Sequence, residues 1–161
     1  IDKYSCELQA NFASLQYQLP SIGLRFFNVY GKRQDPKSPY SGVISIFIEK
    51  ISNEKEVCVF GDGSQFRDFI HVSDVIRHLT SSMELAVTKS MIINVCTGKS
   101  STLHDLIKNL SLIYDLNPKV RYLEERAGDI KYSIGDNSLA RRYLHIETTI
   151  DLLSGLKKTV L

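Results

Sequence analysis

Two groups of arginine and aspartate are where this sequence offers chemistry. Arg67 and Asp68 interrupt a stretch, residues 66–72, that otherwise alternates as an apolar strand. A guanidinium in such a place needs an anion, and its rigid fork of N–H donors matches two oxygens of a phosphate, the geometry of a diphosphate clamp. An internal ion pair with Asp68 or another acid would satisfy the same need. Arg126, Gly128 and Asp129 form the second group, in a segment without strand or helix periodicity. Loops held by a rigid scaffold often bear binding groups. Gly128 permits close backbone approach, Arg126 can meet a phosphate, and the Asp129 carboxylate can accept two bonds from a ribose diol. A solvated turn with an acid at a helix start is the competing reading. Asn28 lies at the end of a strand-like apolar run, where its amide must find partners in any case.

Other residue types offer less. His71, His78, His104 and His145 are dispersed without metal-ligand spacing, so no metal is expected. Cys6, Cys58 and Cys96 are far apart, odd in number and without a CxxC, which argues against a disulfide framework and suits free thiols in a reducing cytoplasm. The segment FGDGSQ is glycine-rich but is no dinucleotide fingerprint. That fingerprint must open a helix whose N-terminus faces the pyrophosphate, and here a second strand pattern follows.

The elements that must position these groups read as mixed α/β. Tyr4, Leu8, Phe12 and Leu15 share one face at helical spacing. No entry signal precedes them, which predicts a chain cut upstream. Residues 21–30 read as a strand, 31–42 as a long loop and 43–52 as a helix. Residues 56–60 and 66–72 alternate as strands around Asp62-Gly63, a hairpin signal. Ser73 is placed to cap a helix reaching about residue 86, with Asp74 in its first turn. Residues 91–96 suit a strand buried on both faces. Thr102 and Asp105 have the spacing of a capping box for a helix to about residue 114. A short strand at 119–123, the RAGD loop, and helices at 137–144 and 150–160 complete the chain.

Composition bounds the function. At 161 residues, 43% hydrophobic and 24% charged, the chain suits one globular domain. Twenty basic against eighteen acidic residues leave a net charge of +2 with no like-charge run, so a nucleic-acid partner has no support. No apolar run approaches the roughly 18 residues of a membrane span, and the first residues lack a signal-peptide pattern, so neither a membrane partner nor export is expected.

The segments GLRFFNVYGKRQDP, SPYSGVISIF, VFGDGSQFRDFIHVSDV, INVCTGKSSTL, ERAGDIKYSIGDNSLARRYL and GLKKTV follow one another across the whole chain. Together they resemble the landmarks of the extended short-chain dehydrogenase/reductase family, and most of all its NAD-dependent nucleotide-sugar epimerases of the UDP-glucose and UDP-N-acetylglucosamine 4-epimerase type. The resemblance implies the C-terminal portion of a Rossmann-type α/β fold (about 1–30 and 65–96) interleaved with a nucleotide-sugar-binding region (about 31–64 and 97–161).

Residue by residue, Lys3 matches the catalytic lysine that binds the nicotinamide ribose and lowers the pKa of a tyrosine four positions earlier. That tyrosine and the glycine-rich NAD motif would precede Ile1, so the chain alone is expected to be inactive. Phe27 matches a position touching the nicotinamide, and Asn28, Arg67 and Arg126 match groups on the sugar-nucleotide diphosphate. Asp129 matches the acid that holds the uridine ribose. Val59 and Phe60 fall where backbone groups hold the uracil, and Ser41 and Val43 resemble substrate-pocket positions. The implied cofactor is NAD, held mainly by the upstream half, the ligand a UDP-sugar, and the assembly a homodimer built partly on the first helix. A dehydratase or decarboxylase of the same family, acting on a dTDP- or UDP-sugar, and a non-catalytic nucleotide-sugar-binding module are the alternatives.

Overall fold

Apolar runs far apart in the sequence meet as parallel strands in the computed structural model, which describes residues 2–161. The chain opens with helix α1 (Asp2–Tyr17), strands β1 (Ile22–Phe26) and β2 (Asn28–Tyr30), and helix α2 (Val43–Ser52). Strands β3 (Val57–Phe60), β4 (Phe66–Arg67) and β5 (Phe69–His71) lead into helix α3 (Val72–Glu84) and strand β6 (Met91–Val95). After β7 (Ser101–Thr102) and helix α4 (Leu103–Tyr114) come β8 (Val120–Leu123) and β9 (Tyr132–Ser133). A π-helical turn (Ala140–Leu144) and helix α5 (Leu152–Val160) close the chain.

β1 pairs with β6, β2 with β5, and β3 with β8, each in parallel. The mixed α/β class expected from the pattern is the one observed. The main core lies where α2, α4 and α5 cover β2, β3 and β5, with Ile51, Val57, Leu106, Leu110 and Leu156 at 1% exposure or less. α5 can come that close because residue 155 is glycine; a Cβ there would stand 2.0 Å from the Tyr30 hydroxyl. On α4 the capping box forms as its spacing predicts. The Thr102 hydroxyl accepts from the Asp105 N–H at 3.0 Å, and the Asp105 carboxylate accepts from the Thr102 N–H at 2.9 Å.

Three expectations need correction. The strand at 21–30 is two strands, because the chain changes partner at Phe27: its N–H still bonds Val95, while that of Asn28 bonds Asp68. The expected hairpin around Asp62-Gly63 does not form. The type I′ turn that Asp-Gly favours needs φ above zero at both central residues, whereas here the positive φ values fall on Gly61 (73°) and Gly63 (78°) with Asp62 between them. Asp62 instead accepts from the Ser64 N–H at 2.9 Å in a local turn, and β3 and β4 go to different sheets. Finally, α3 is capped by His71 rather than Ser73, with the ring Nδ1 accepting from the Ser73 N–H at 3.2 Å. Asp74, fully buried, accepts instead from the N–H groups of Thr149 and Ile150 and from Arg77.

Candidate functional site

The two arginine groups face one cavity of about 390 Å³, whose wall includes Asn28, Phe60, Arg67, Arg126, Gly128 and Asp129. Strands too short for periodicity to reveal build it. β4, only Phe66–Arg67, is held between β7, antiparallel, and β9, parallel, so that Arg67 stands level with Ser101 and Ser133. Asp68, the next residue, points the opposite way and is fully buried. Its carboxylate accepts from the N–H and hydroxyl of Thr97 at 2.8 and 2.7 Å, and from the Gly98 N–H at 2.8 Å. A buried carboxylate so bonded is a framework element, and it anchors the segment that presents Arg67. The ion pair of Arg67 is therefore not with its neighbour Asp68. Its Nη2 donates to Asp129 Oδ1 at 2.5 Å.

Arg126 is fixed differently. Its guanidinium carbon lies 3.7 Å above the centre of the Phe60 ring, a cation–π contact. The loop turns through Gly128 at a φ of 82°, and the Asp129 N–H donates to the Arg126 carbonyl at 3.0 Å, closing the turn that sets Arg126 and Asp129 on the same wall. The Asn28 side-chain amide donates to the Asp68 carbonyl at 3.0 Å, tying the start of β2 to the residue that follows Arg67.

The structure brings together Asn28, Val43, Phe60, Arg67, Arg126 and Asp129 of the residues singled out from the sequence. It does not bring in the rest. The Val59 side chain belongs to the core at 1% exposure. The β3 residue sharing the cavity with Phe60 is Cys58, which the alternation of side chains along a strand would have found. Gln65, also on the wall, donates to the Phe60 carbonyl at 2.9 Å and carried no sequence signal. Ser41 donates its hydroxyl to the Asp35 carbonyl within the long loop. Lys3 lines a separate recess of about 550 Å³ between α1 and β1, near the Glu7–Arg25 pair. Phe27 packs against Gly135, where a Cβ would meet its ring at 2.8 Å.

Two guanidinium groups, one carboxylate and the amides of Asn28 and Gln65 line the cavity, a set rich in donors with a single strong acceptor. Such a set binds a dianion flanked by hydroxyl groups. Among the described residues the cavity wall carries no histidine, and no group of His, Cys, Asp and Glu could hold a metal ion.

Residues 1–96 match the model of the NAD dependent epimerase/dehydratase family. A putative UDP-glucose 4-epimerase of Methanocaldococcus jannaschii is 33% identical over 160 residues, covering 99% of this chain and 51% of that protein. Among solved structures, the UDP-glucose 4-epimerase of Thermotoga maritima, with UDP-glucose, superposes with a TM-score of 0.89 at 39% identity, over 98% of this chain and 50% of that one. The UDP-N-acetylglucosamine 4-epimerase of Methanobrevibacter ruminantium, in complex with UDP-N-acetylmuramic acid, reaches 0.91 at 38% identity over the same shares. The chain spans about half the length of the curated relatives it matches.

Proposed function

Because the chain belongs to the NAD dependent epimerase/dehydratase family, we propose that it is the C-terminal, UDP-sugar-binding part of an NAD-dependent nucleotide-sugar 4-epimerase. The observation that carries this reading is the convergence of Arg67 and Arg126 on one cavity with Asp129 beside them. The two guanidinium groups take the diphosphate, Asn28 supplies an amide to it, and Asp129 accepts from the ribose hydroxyls. Cys58 and Phe60 stand at the end of the cavity formed by β3, where the base is placed by backbone groups.

Clamping the nucleotide away from the sugar is how such a site contributes to rate. Binding energy from the non-reacting part of a substrate fixes the position of the reacting carbon and lowers the entropy left to lose at the transition state. Hydride removal from C4 of the sugar and its return to the opposite face is the chemistry that NAD supplies when bound. On this chain the residues of a type to meet it are few: Lys3, a cation able to donate to ribose hydroxyls at the rim of its recess, and Phe27, an apolar ring for the nicotinamide. A homodimer is proposed through α1, whose apolar row stays exposed, and a cytoplasmic location agrees with the free thiols. No described helix is long and apolar enough to cross a membrane.

Calorimetric titration with UDP-glucose, UDP-N-acetylglucosamine and glucose 1-phosphate tests the reading. Both UDP-sugars are expected to bind at one site and glucose 1-phosphate, which lacks the nucleoside, to bind far more weakly. Failure of both UDP-sugars to bind would overturn it.

A further inference from the structure

The two arginines of the cavity are held by unlike partners. Arg126 rests on an aromatic ring, and among the described residues it takes part in no ion pair. Arg67 is bound on two sides. Its Nη1 donates to the backbone carbonyls of Ile130 at 2.5 Å and Phe66 at 2.9 Å, and its Nη2 to Asp129 at 2.5 Å. The carbonyls belong to the framework: Phe66 lies in β4, and Ile130 leads into β9, which runs alongside it. They fix the plane of the guanidinium and leave only with the sheet. Asp129 is a side chain, 36% exposed, on a loop that turns at Gly128.

A phosphate approaching Arg67 therefore meets a carboxylate of its own sign already bonded to the group it needs. Among the described residues the Nε–H and the second Nη2–H of Arg67 have no acceptor, so the two anions would sit side by side on one guanidinium, and their like charges favour withdrawal of the side chain over that of the incoming phosphate. A carboxylate drawn off an arginine stays satisfied only if new donors meet it, and a vicinal diol presents two O–H donors. Inorganic diphosphate presents none.

We infer that Asp129 is a specificity-determining residue: it guards Arg67 against bare polyphosphates and releases it to a diphosphate that brings a ribose diol. The inference rests on the reading of this cavity as a nucleotide-sugar site. It makes discrimination a property of the exchange between the two anions, with Arg126 as the first contact of the incoming diphosphate and Arg67 as the second.

Titration of the purified protein with UDP and with inorganic diphosphate tests it, alongside Asp129→Asn, Asp129→Ala and a control, Glu125→Gln. Glu125 lies beside the same loop, near Gly61, and its neutralisation changes the net charge by the same amount. The wild-type protein is expected to prefer UDP strongly. Both Asp129 variants should bind inorganic diphosphate more tightly, by about tenfold, and UDP more weakly by a similar factor. Glu125→Gln should leave the ratio within about twofold, the scale of a surface charge change. Unchanged or weaker diphosphate binding in both Asp129 variants, or an equal shift in the control, would overturn the guard while UDP still binds. Absence of UDP binding to the wild-type protein would overturn both the guard and the site reading beneath it.

Discussion

Two parallel strand pairs of this chain are finished in opposite ways. The β3–β8 pair belongs to a region closed by its own helices, with Val57, Leu106 and Leu110 at 0% exposure. The β1–β6 pair is closed on one face, where Ile93 and Val95 are fully buried. Its other face carries α1, which buries no residue of its own. Tyr4, Leu8, Phe12 and Leu15 stand 54–76% exposed in a row along that helix, an apolar surface of the kind that marks an interaction site. The arginine cavity is built on the closed region. A site that must hold two guanidinium groups in fixed positions needs supports that do not depend on another surface arriving.

The sharpest way to break this contrast is a pair of truncations. Leu106→Ala should cost about 3 kcal/mol in chemical denaturation, the usual scale for a fully buried leucine. Leu8→Ala should cost under about 0.5 kcal/mol in dilute protein, as at exposed positions. Equal costs would erase the distinction, and a cost at Leu8 that grows with protein concentration would place a second copy on α1.

A smaller effect separates binding from stability. Arg126→Ala should weaken UDP on the order of tenfold while shifting Tm very little, since Arg126 is exposed. A large Tm loss would make it a structural residue.

The acid side of the stability profile should follow His71 at the edge of the closed region. Burial first, and then the charge of Lys158, lower its pKa from the ordinary value of 6.5, with Asp74 acting the other way. Its Nδ1 must stay unprotonated to accept from Ser73. The stabilisation is therefore present above pH 6.5 and lost as pH falls through the lower folded value. Melting curves from pH 8 downward should show this loss, and His71→Gln should flatten it.

The least demanding comparison uses the thiols. Cys6 is exposed and Cys96 buried, with the Cys96 thiol pushed up to about 12 by burial and by the charge of Asp68. A thiol reagent should take Cys6 first and leave Cys96 until unfolding. Cys58, on the cavity wall, should react more slowly once UDP is present.

The same contrast explains what could be read from the sequence. Signals confined to one turn of chain carried through: the Thr102–Asp105 box and the row of α1 depend on residues three or four apart. The arginine–aspartate groups could be picked out by type, because an arginine inside an apolar strand must be answered. Their contact could not, since Arg67 and Asp129 meet across 62 positions and the strands that bring them together, β4 and β9, are two residues long. Asp62-Gly63 misled because a turn signal is local while the choice of strand partner is not; β3 found β8, a strand on the far side of α4. The motif marks the segment around Val59 and Phe60 by its backbone; which side chains face the cavity is set by parity along β3, so that Cys58 and Phe60 line it while Val59 lies in the core.

The most direct test of the central claim is a titration of the protein with UDP followed by backbone amide NMR. The account predicts saturable shifts at one site, concentrated in residues 58–67 and 126–133 and abolished by Arg67→Ala in a protein that still folds. Shifts centred instead on the recess beside Lys3, or no saturable shift at all, would contradict it.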